Sequence, residues 1–158
     1  MNAIACLDKK NGIGRNGKLL FHLKKDMAFF RKMTDGKVVI MGSGTYRAIG
    51  GPLKNRVNIV LSSQNRGDVI NAHSVQEVLD LIRFYRPEDV FVIGGPSVYE
   101  QFLPYCEILY ITKVEADGNA DVFFPEKGND WEISGSSEEL DDNGYKIRFL
   151  TYRKRKDS

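Results

Sequence analysis

The chain has 158 residues, 42% of them apolar and 28% charged, and its 23 Lys+Arg stand against 21 Asp+Glu for a formal net charge of +2. That is enough chain for one domain with a full core over residues 1–158, and a near-neutral balance excludes a dedicated nucleic-acid binder, which needs a basic surplus to displace counterions from phosphates. The longest apolar stretches, such as Val38–Met41 and Ile108–Ile111, are far below membrane-spanning length, no secretory signal is expected, and Cys6 and Cys106 make neither a disulfide framework nor a metal-ligand set. The expectation is a soluble, cytoplasmic protein with no metal, nucleic-acid or membrane partner.

In chain order, Ala3–Leu7, Lys37–Met41, Val57–Leu61, Val90–Ile93 and Ile108–Val114 are short Val- and Ile-rich runs that read as buried strands. Between them, Leu23–Met33 and Val75–Tyr85 have helical spacing, shorter helical patterns follow Gly42 and Pro96, and Pro87 marks the exit from the second long helix. The order β-α-β-α-β-β-α-β-α-β implies an α/β fold: a central mixed, mostly parallel sheet with helices on both faces. Beyond Pro125 the pattern alternates, so Trp131–Ser137 and Tyr145–Tyr152 read as an antiparallel hairpin around Asp141-Asp142-Asn143-Gly144. Arg153-Lys154-Arg155-Lys156 reads as a frayed, solvated basic end.

The helix Leu23–Met33 carries the most chemical information. At about 100° per residue, Asp26 falls inside the apolar arc of Leu23, Met27, Phe29, Phe30 and Met33, with Lys24, Lys25, Arg31 and Lys32 opposite. An acid on an inward face either waits for a ligand with hydrogen-bond donors or, being near the first turn, caps the helix. Three glycine-bearing turns follow strands: Asn11-Gly12-Ile13-Gly14, Met41-Gly42-Ser43-Gly44-Thr45 and Ile93-Gly94-Gly95-Pro96-Ser97. Ligands of parallel sheets bind beyond the strand carboxyl ends, and two helix starts there suit a pyrophosphate, although none of the three fits a dinucleotide or P-loop pattern. His22 and His73 read as surface or turn residues, Cys6 as a small buried apolar residue, and Ser62 and Ser63 as either phosphate ligands or local caps.

Seven blocks in order resemble the dihydrofolate reductase family over essentially the whole chain. They are Asn11–Gly14, Leu23–Phe30, Val39–Gly42, Pro52–Ser62, Val92–Tyr99, Tyr110–Thr112 and Phe124–Pro125. The resemblance implies hydride transfer from NADPH to the pterin of dihydrofolate, serving one-carbon and thymidylate metabolism, by a monomer that also binds antifolate-type small molecules. It assigns Asp26, Thr112 and Phe21 to the catalytic group. Ile4, Ala5, Met27, Phe30, Ile49, Leu53 and Ile93 would line the pterin and benzoyl slot, and Arg56 would pair with the substrate's glutamate carboxylate. Ala5, Ile13, Gly14 and Leu19 would meet the nicotinamide end, with Ile13 to Leu19 in or beside a mobile loop over roughly residues 14–24. Gly42, Ser43, Gly44, Thr45, Ile93, Gly94, Gly95, Pro96, Ser97, Val98 and Tyr99 would surround the pyrophosphate, and Leu61, Ser62 and Ser63 the adenosine. The family's cis peptide falls at Gly94–Gly95.

Three departures from the family pattern matter. Leu20-Phe21 stands where the family usually has Pro-Trp, which keeps an apolar wall but removes an indole donor. Ser43 stands where an arginine usually helps bind the phosphate that marks NADPH, so discrimination against NADH is expected to be weaker, with Ser63, Arg66 and Arg47 as the residues that would compensate. Pro96 removes one amide at a helix start. The alternatives are a related-fold reductase of riboflavin synthesis, which Arg56 argues against because that substrate has no glutamate tail, and a folate- or nucleotide-binding protein with little turnover.

Overall fold

The computed structural model describes residues 1–156. Its strands are β1 (Asn2–Leu7), β2 (Gly12–Gly14), β3 (Val38–Gly42), β4 (Val57–Leu61), β5 (Ile70–Ala72), β6 (Val90–Gly94), β7 (Ile108–Val114), β8 (Val122–Phe123), β9 (Trp131–Ser136), β10 (Leu140–Asp142) and β11 (Tyr145–Lys154). Its helices are α1 (Lys24–Thr34), α2 (Ser43–Ile49), α3 (Val75–Ile82) and α4 (Pro96–Phe102). The main sheet runs β10-β11-β7-β1-β6-β3-β4-β5, and β9 also pairs with β11. All neighbours from β7 to β5 are parallel, and β11 is antiparallel to β7, β9 and β10. No helix among the described residues is long and apolar enough to cross a membrane.

The parallel strands are buried on both faces, which is why they read as continuous apolar runs. Alternate residues of β3 divide between two cores: Val38 and Ile40 face the layer of Val78, Val98 and Phe102, whereas Val39 and Met41 face Phe29, Phe30 and Met33 of α1. A third, smaller core joins Leu23, Val114 and Ile147 under the loop that leads into α1. β1 and β6 lie side by side, yet the chain between them builds β3, β4 and β5 further out, and β7 pairs with the other edge of β1. The order thus reverses beside β1, and a crevice opens at the carboxyl ends of these strands.

Several expectations need correction. The tight hairpin joins β10, not Trp131–Ser136, to β11, across Asn143 and Gly144, both at positive φ (51° and 84°) as a two-residue turn of this kind requires. β9 instead pairs with the second half of β11. α3 ends at Ile82, and Pro87 opens a separate 3-10 turn to Asp89. The carboxyl end is not frayed at Arg153 and Lys154, which belong to β11. The Lys154 ammonium donates to the carbonyls of Leu103 (3.2 Å) and Pro104 (2.9 Å).

Candidate active site

Asp26 sits in the first turn of α1, half-buried, facing β7. The Thr112 hydroxyl donates to its Oδ1 at 2.6 Å, and Thr112 itself is buried. Cys6 lies opposite Thr112 in the β1–β7 register, with its thiol beside the Asp26 carboxylate. It is partly buried against the third core, as a small apolar residue would be, and it also adjoins the acid. Burial is the main force raising the Asp26 carboxyl above its ordinary range. The hydrogen bonds from Thr112 and Cys6 pull it down in part, and the nearby Asp142 charge pushes it up. Burial beside Asp26 also drives the Cys6 thiol far up, so it stays protonated and keeps its donor.

Asp26 does not cap its helix. The cap comes from Asp142, buried at the end of β10, whose Oδ1 accepts from the Lys24 amide (3.1 Å) and whose Oδ2 accepts from the amides of Lys25 (2.8 Å) and Asp26 (3.3 Å). Asn143 adds a bond from its side-chain amide to the His22 carbonyl at 2.9 Å. One carboxylate thus holds the amino end of α1 and adds a like charge, smaller in effect than burial, beside Asp26. Asp142→Ala is expected to lower stability by about 1–2 kcal/mol, the usual range for a lost cap. By removing a like charge it is also expected to lower the pKa of Asp26. Thermal melts and the pH dependence of turnover measure the two effects separately.

The apolar side of the crevice is formed by Ile4, Ile93, Phe30 and Leu53, which belong to or pack on the core beneath α1. Leu53 is held by Asn58, whose side chain accepts from the Leu53 amide (2.9 Å) and donates to the Leu53 (2.9 Å) and Arg56 (3.1 Å) carbonyls. Arg56 is held from behind: Nε and Nη2 donate to Thr34 Oγ1 (3.2 and 3.1 Å) and Nη1 to the Lys54 carbonyl (2.8 Å). Met27, expected in the inward arc, is 45% exposed, and Ile49 is 40% exposed at the end of α2. Both lie on the rim and leave the floor to the strand residues.

On the other side, the peptide Gly94–Gly95 is cis, as the resemblance implied. The Thr45 hydroxyl crowds Gly94, where a Cβ would lie 3.2 Å from it; beside Gly95 a Cβ would make ordinary contact at 3.6 Å. Gly42 faces α4 with the same economy of space, since a Cβ there would meet Val98 at 3.0 Å. Neither α2 nor α4 has a side-chain cap, so the first amides of α2 and, since Pro96 has none, those of α4 from Ser97 onward are left for a ligand, while space beside Gly44 is open. Ser62 Oγ accepts from the Gln64 amide at 3.2 Å and Ser63 is exposed. Ala5 is half-buried at the end of β1, and Leu61 and Pro96 are half-buried on their strand and helix. Tyr99, expected on the cofactor side, is buried: its hydroxyl donates to the Ile4 carbonyl at 2.6 Å and its ring packs on Phe124, so the side chain braces β1. Val98 is likewise buried.

The loop from Gly14 to Leu23 is docked rather than free. Asn16 and Gly17 turn it at positive φ, the Arg15 guanidinium donates to the Asn119 carbonyl (2.8 Å), and the Asn16 amide donates to Asp121 Oδ2 (2.9 Å). β2, including Ile13, pairs with β8. Phe21 packs on Tyr145 with ring centroids 4.7 Å apart, over the third core, while Leu19 is 69% exposed. Sequence reasoning missed Asp142, Cys6, Asn58 and Asp121, since each acts on a partner remote in the chain or wears an ordinary turn or strand identity. Among the described residues, no group of three or more His, Cys, Asp or Glu is placed to hold a metal ion.

A half-buried acid held by Thr112 on one side, and two glycine turns at the strand ends on the other, define the candidate site of an α/β enzyme. The family model for dihydrofolate reductase matches residues 1–154. The dihydrofolate reductase of Bacillus subtilis (strain 168) is 37% identical over 161 residues, covering 98% of this chain and 95% of its own, and that of Haemophilus influenzae is 37% identical over 145 residues, covering 89% of each. Among solved structures, dihydrofolate reductase from Enterococcus faecalis complexed with NADP(H) and RAB-propyl superposes with a TM-score of 0.90 at 32% identity, covering 98% of this chain and 96% of its own. The chain belongs to the dihydrofolate reductase family.

Proposed function

We propose that the chain reduces 7,8-dihydrofolate to 5,6,7,8-tetrahydrofolate with NADPH, acting as a monomer on small molecules and binding antifolate-type molecules that present the same donors to Asp26. The observation that carries this reading is the Asp26–Thr112 pair at 2.6 Å, set in the apolar crevice at the switch point of the sheet. An ionised acid in that position is stable only when a ligand supplies N–H groups to its free oxygen, as a pterin's amino and ring N–H edge does. Arg56, already held by Thr34 and Lys54, offers its outer edge to the substrate carboxylate.

When bound, NADPH supplies the hydride from its nicotinamide ring. The residues present suit it: the starts of α2 and α4 carry no side-chain cap, and glycine at 42, 44, 94 and 95 leaves the backbone bare for a phosphate to approach. The hydride goes to the carbon of the pterin N5=C bond and a proton to N5. No side chain of the pocket is assigned to N5, so Asp26 polarises the pterin while water carries the proton. Ile4, Ala5 and Ile93 lie between the two ligand positions, where they align the rings and exclude bulk water.

For the adenosine phosphate, Arg66 stacks over Tyr46 (5.1 Å) and its Nη1 is buried without a partner, while Ser43 offers no charge. The weakened preference for NADPH over NADH rests on Ser43 alone, and Arg66 is the cation that would compensate for it. Loss of absorbance at 340 nm with dihydrofolate and NADPH tests the reaction. A rate that depends on dihydrofolate supports it, and binding of both ligands without turnover would leave a binding protein. A very large NADPH preference would refute the cofactor expectation.

A further inference from the structure

Asp8, just beyond β1, is 1% exposed and takes no part in the chemistry above. Its Oδ1 accepts from the amides of Lys10 (2.9 Å) and Gly12 (2.7 Å), and its Oδ2 accepts from the Gly118 amide at 2.9 Å. The first two bonds fold the turn between β1 and β2. The third reaches 110 residues along the chain to the segment between β7 and β8. That segment is pressed from its other side by Leu20, since a Cβ on Gly118 would lie 2.9 Å from Leu20 Cδ1. Three residues on, Asp121 holds the Asn16 amide (2.9 Å) and donates its own amide to the Gly14 carbonyl (3.0 Å). Gly12 fits only as glycine, because a Cβ would run into Ala120. The buried carboxylate, the 116–121 segment and the 14–20 loop therefore form one continuous stack.

We propose that Asp8 is a positioning residue for reduction: it fixes the 116–121 segment, and through it the loop that closes over the nicotinamide. This rests on the assignment of residues 14–20 to the cofactor side. Buried, the carboxylate has no water to replace its partners, so any substituent there must satisfy all three amides or release one. Asp8→Asn separates these. One oxygen can still serve the turn, but the side-chain NH2 then faces the Gly118 amide donor to donor, and the segment loses its anchor.

Hydrogen exchange and cofactor titration test the proposal. In Asp8→Asn, exchange at Gly118 and at Asn16 is expected to accelerate together by about tenfold or more, with β3 and β6 amides unchanged. The NADPH dissociation constant, measured by calorimetry, is expected to rise about five- to tenfold while that of dihydrofolate stays within about twofold. Acceleration at Gly118 but not at Asn16, or a uniform acceleration that includes β3 and β6, would overturn it. Leu20→Ala attacks the stack from the opposite side and serves if Asp8→Asn does not fold. Faster exchange at Gly118 with Lys10 and Gly12 unaffected supports the coupling, and an unchanged Gly118 contradicts it. If the unsubstituted protein failed to bind NADPH, the functional reading would fall, while the exchange data would still decide whether Asp8 governs the loop.

Discussion

Asp26→Asn is expected to slow dihydrofolate reduction by about a hundredfold or more at neutral pH and, in the same protein, to raise the melting temperature. The loss follows from geometry: an amide in place of the carboxylate accepts the Thr112 hydrogen bond but turns a donor, and no charge, toward the pterin edge. The gain follows from linkage. Burial raises the Asp26 carboxyl above its ordinary value of 3.8, so between that value and the raised one the folded chain binds more protons than the unfolded chain. Stability therefore falls as pH rises through that window and stays lower above it, which makes the ionised acid a destabilising group at neutral pH. A neutral amide removes that cost. The pH profile supplies a further check, since the inflection of turnover governed by Asp26 lies above the ordinary carboxylate range and disappears in Asp26→Asn. An unchanged inflection, or a variant that is both slower and less stable, would place the acid chemistry elsewhere.

Arg56→Ala is expected to raise KM for dihydrofolate about 10- to 100-fold with kcat changed little. On the proposed reading the guanidinium would meet the substrate away from the reacting bond and contribute equally to substrate and transition-state binding, which is the signature of a KM effect. Its fixed orientation matters as much as its charge. With Thr34 Oγ1 taking Nε and Nη2 and the Lys54 carbonyl taking Nη1, little side-chain freedom is left to lose on binding. Arg56→Lys keeps the charge but not the fork, and should recover only part of the affinity. A substrate analogue lacking the glutamate carboxylates should show no difference between the variants. Equal losses for both substrates would remove Arg56 from the binding role.

The elements that carry both cores were legible because their patterns are local. Val38–Met41 and Val90–Ile93 are apolar at every position, and only a strand buried on both faces needs that. Asp26 stood out for the converse reason, as a charge on a face whose neighbours Phe29 and Phe30 turn inward. Contacts made across the chain left no such trace. Asp142 sits in a stretch whose composition spells a turn, and nothing near it says that its carboxylate will reach 116–118 residues back to cap α1. The same holds for Asn58, one polar residue inside a strand, and for Asp8 at the end of another. Met27 failed in the opposite sense: a helical wheel shows which residues share a face, but not where that face passes from core to rim.

The cap on α1 has a consequence for the order in which this protein becomes active during synthesis. When the chain has emerged through Phe124, β1, β3, β4, β6 and β7 are all present, along with Asp26 and Thr112. The amides of Lys24, Lys25 and Asp26 nonetheless have no acceptor until Asp142 follows, and the outer edge of β7 has no partner until β11 is made. A nascent chain can therefore build the nucleotide side of its cleft before the acid side is aligned. Asp142 and β11 act as the keystone of the acid side: the parts that hold Asp26 in line are supplied from a stretch more than a hundred residues further along the chain.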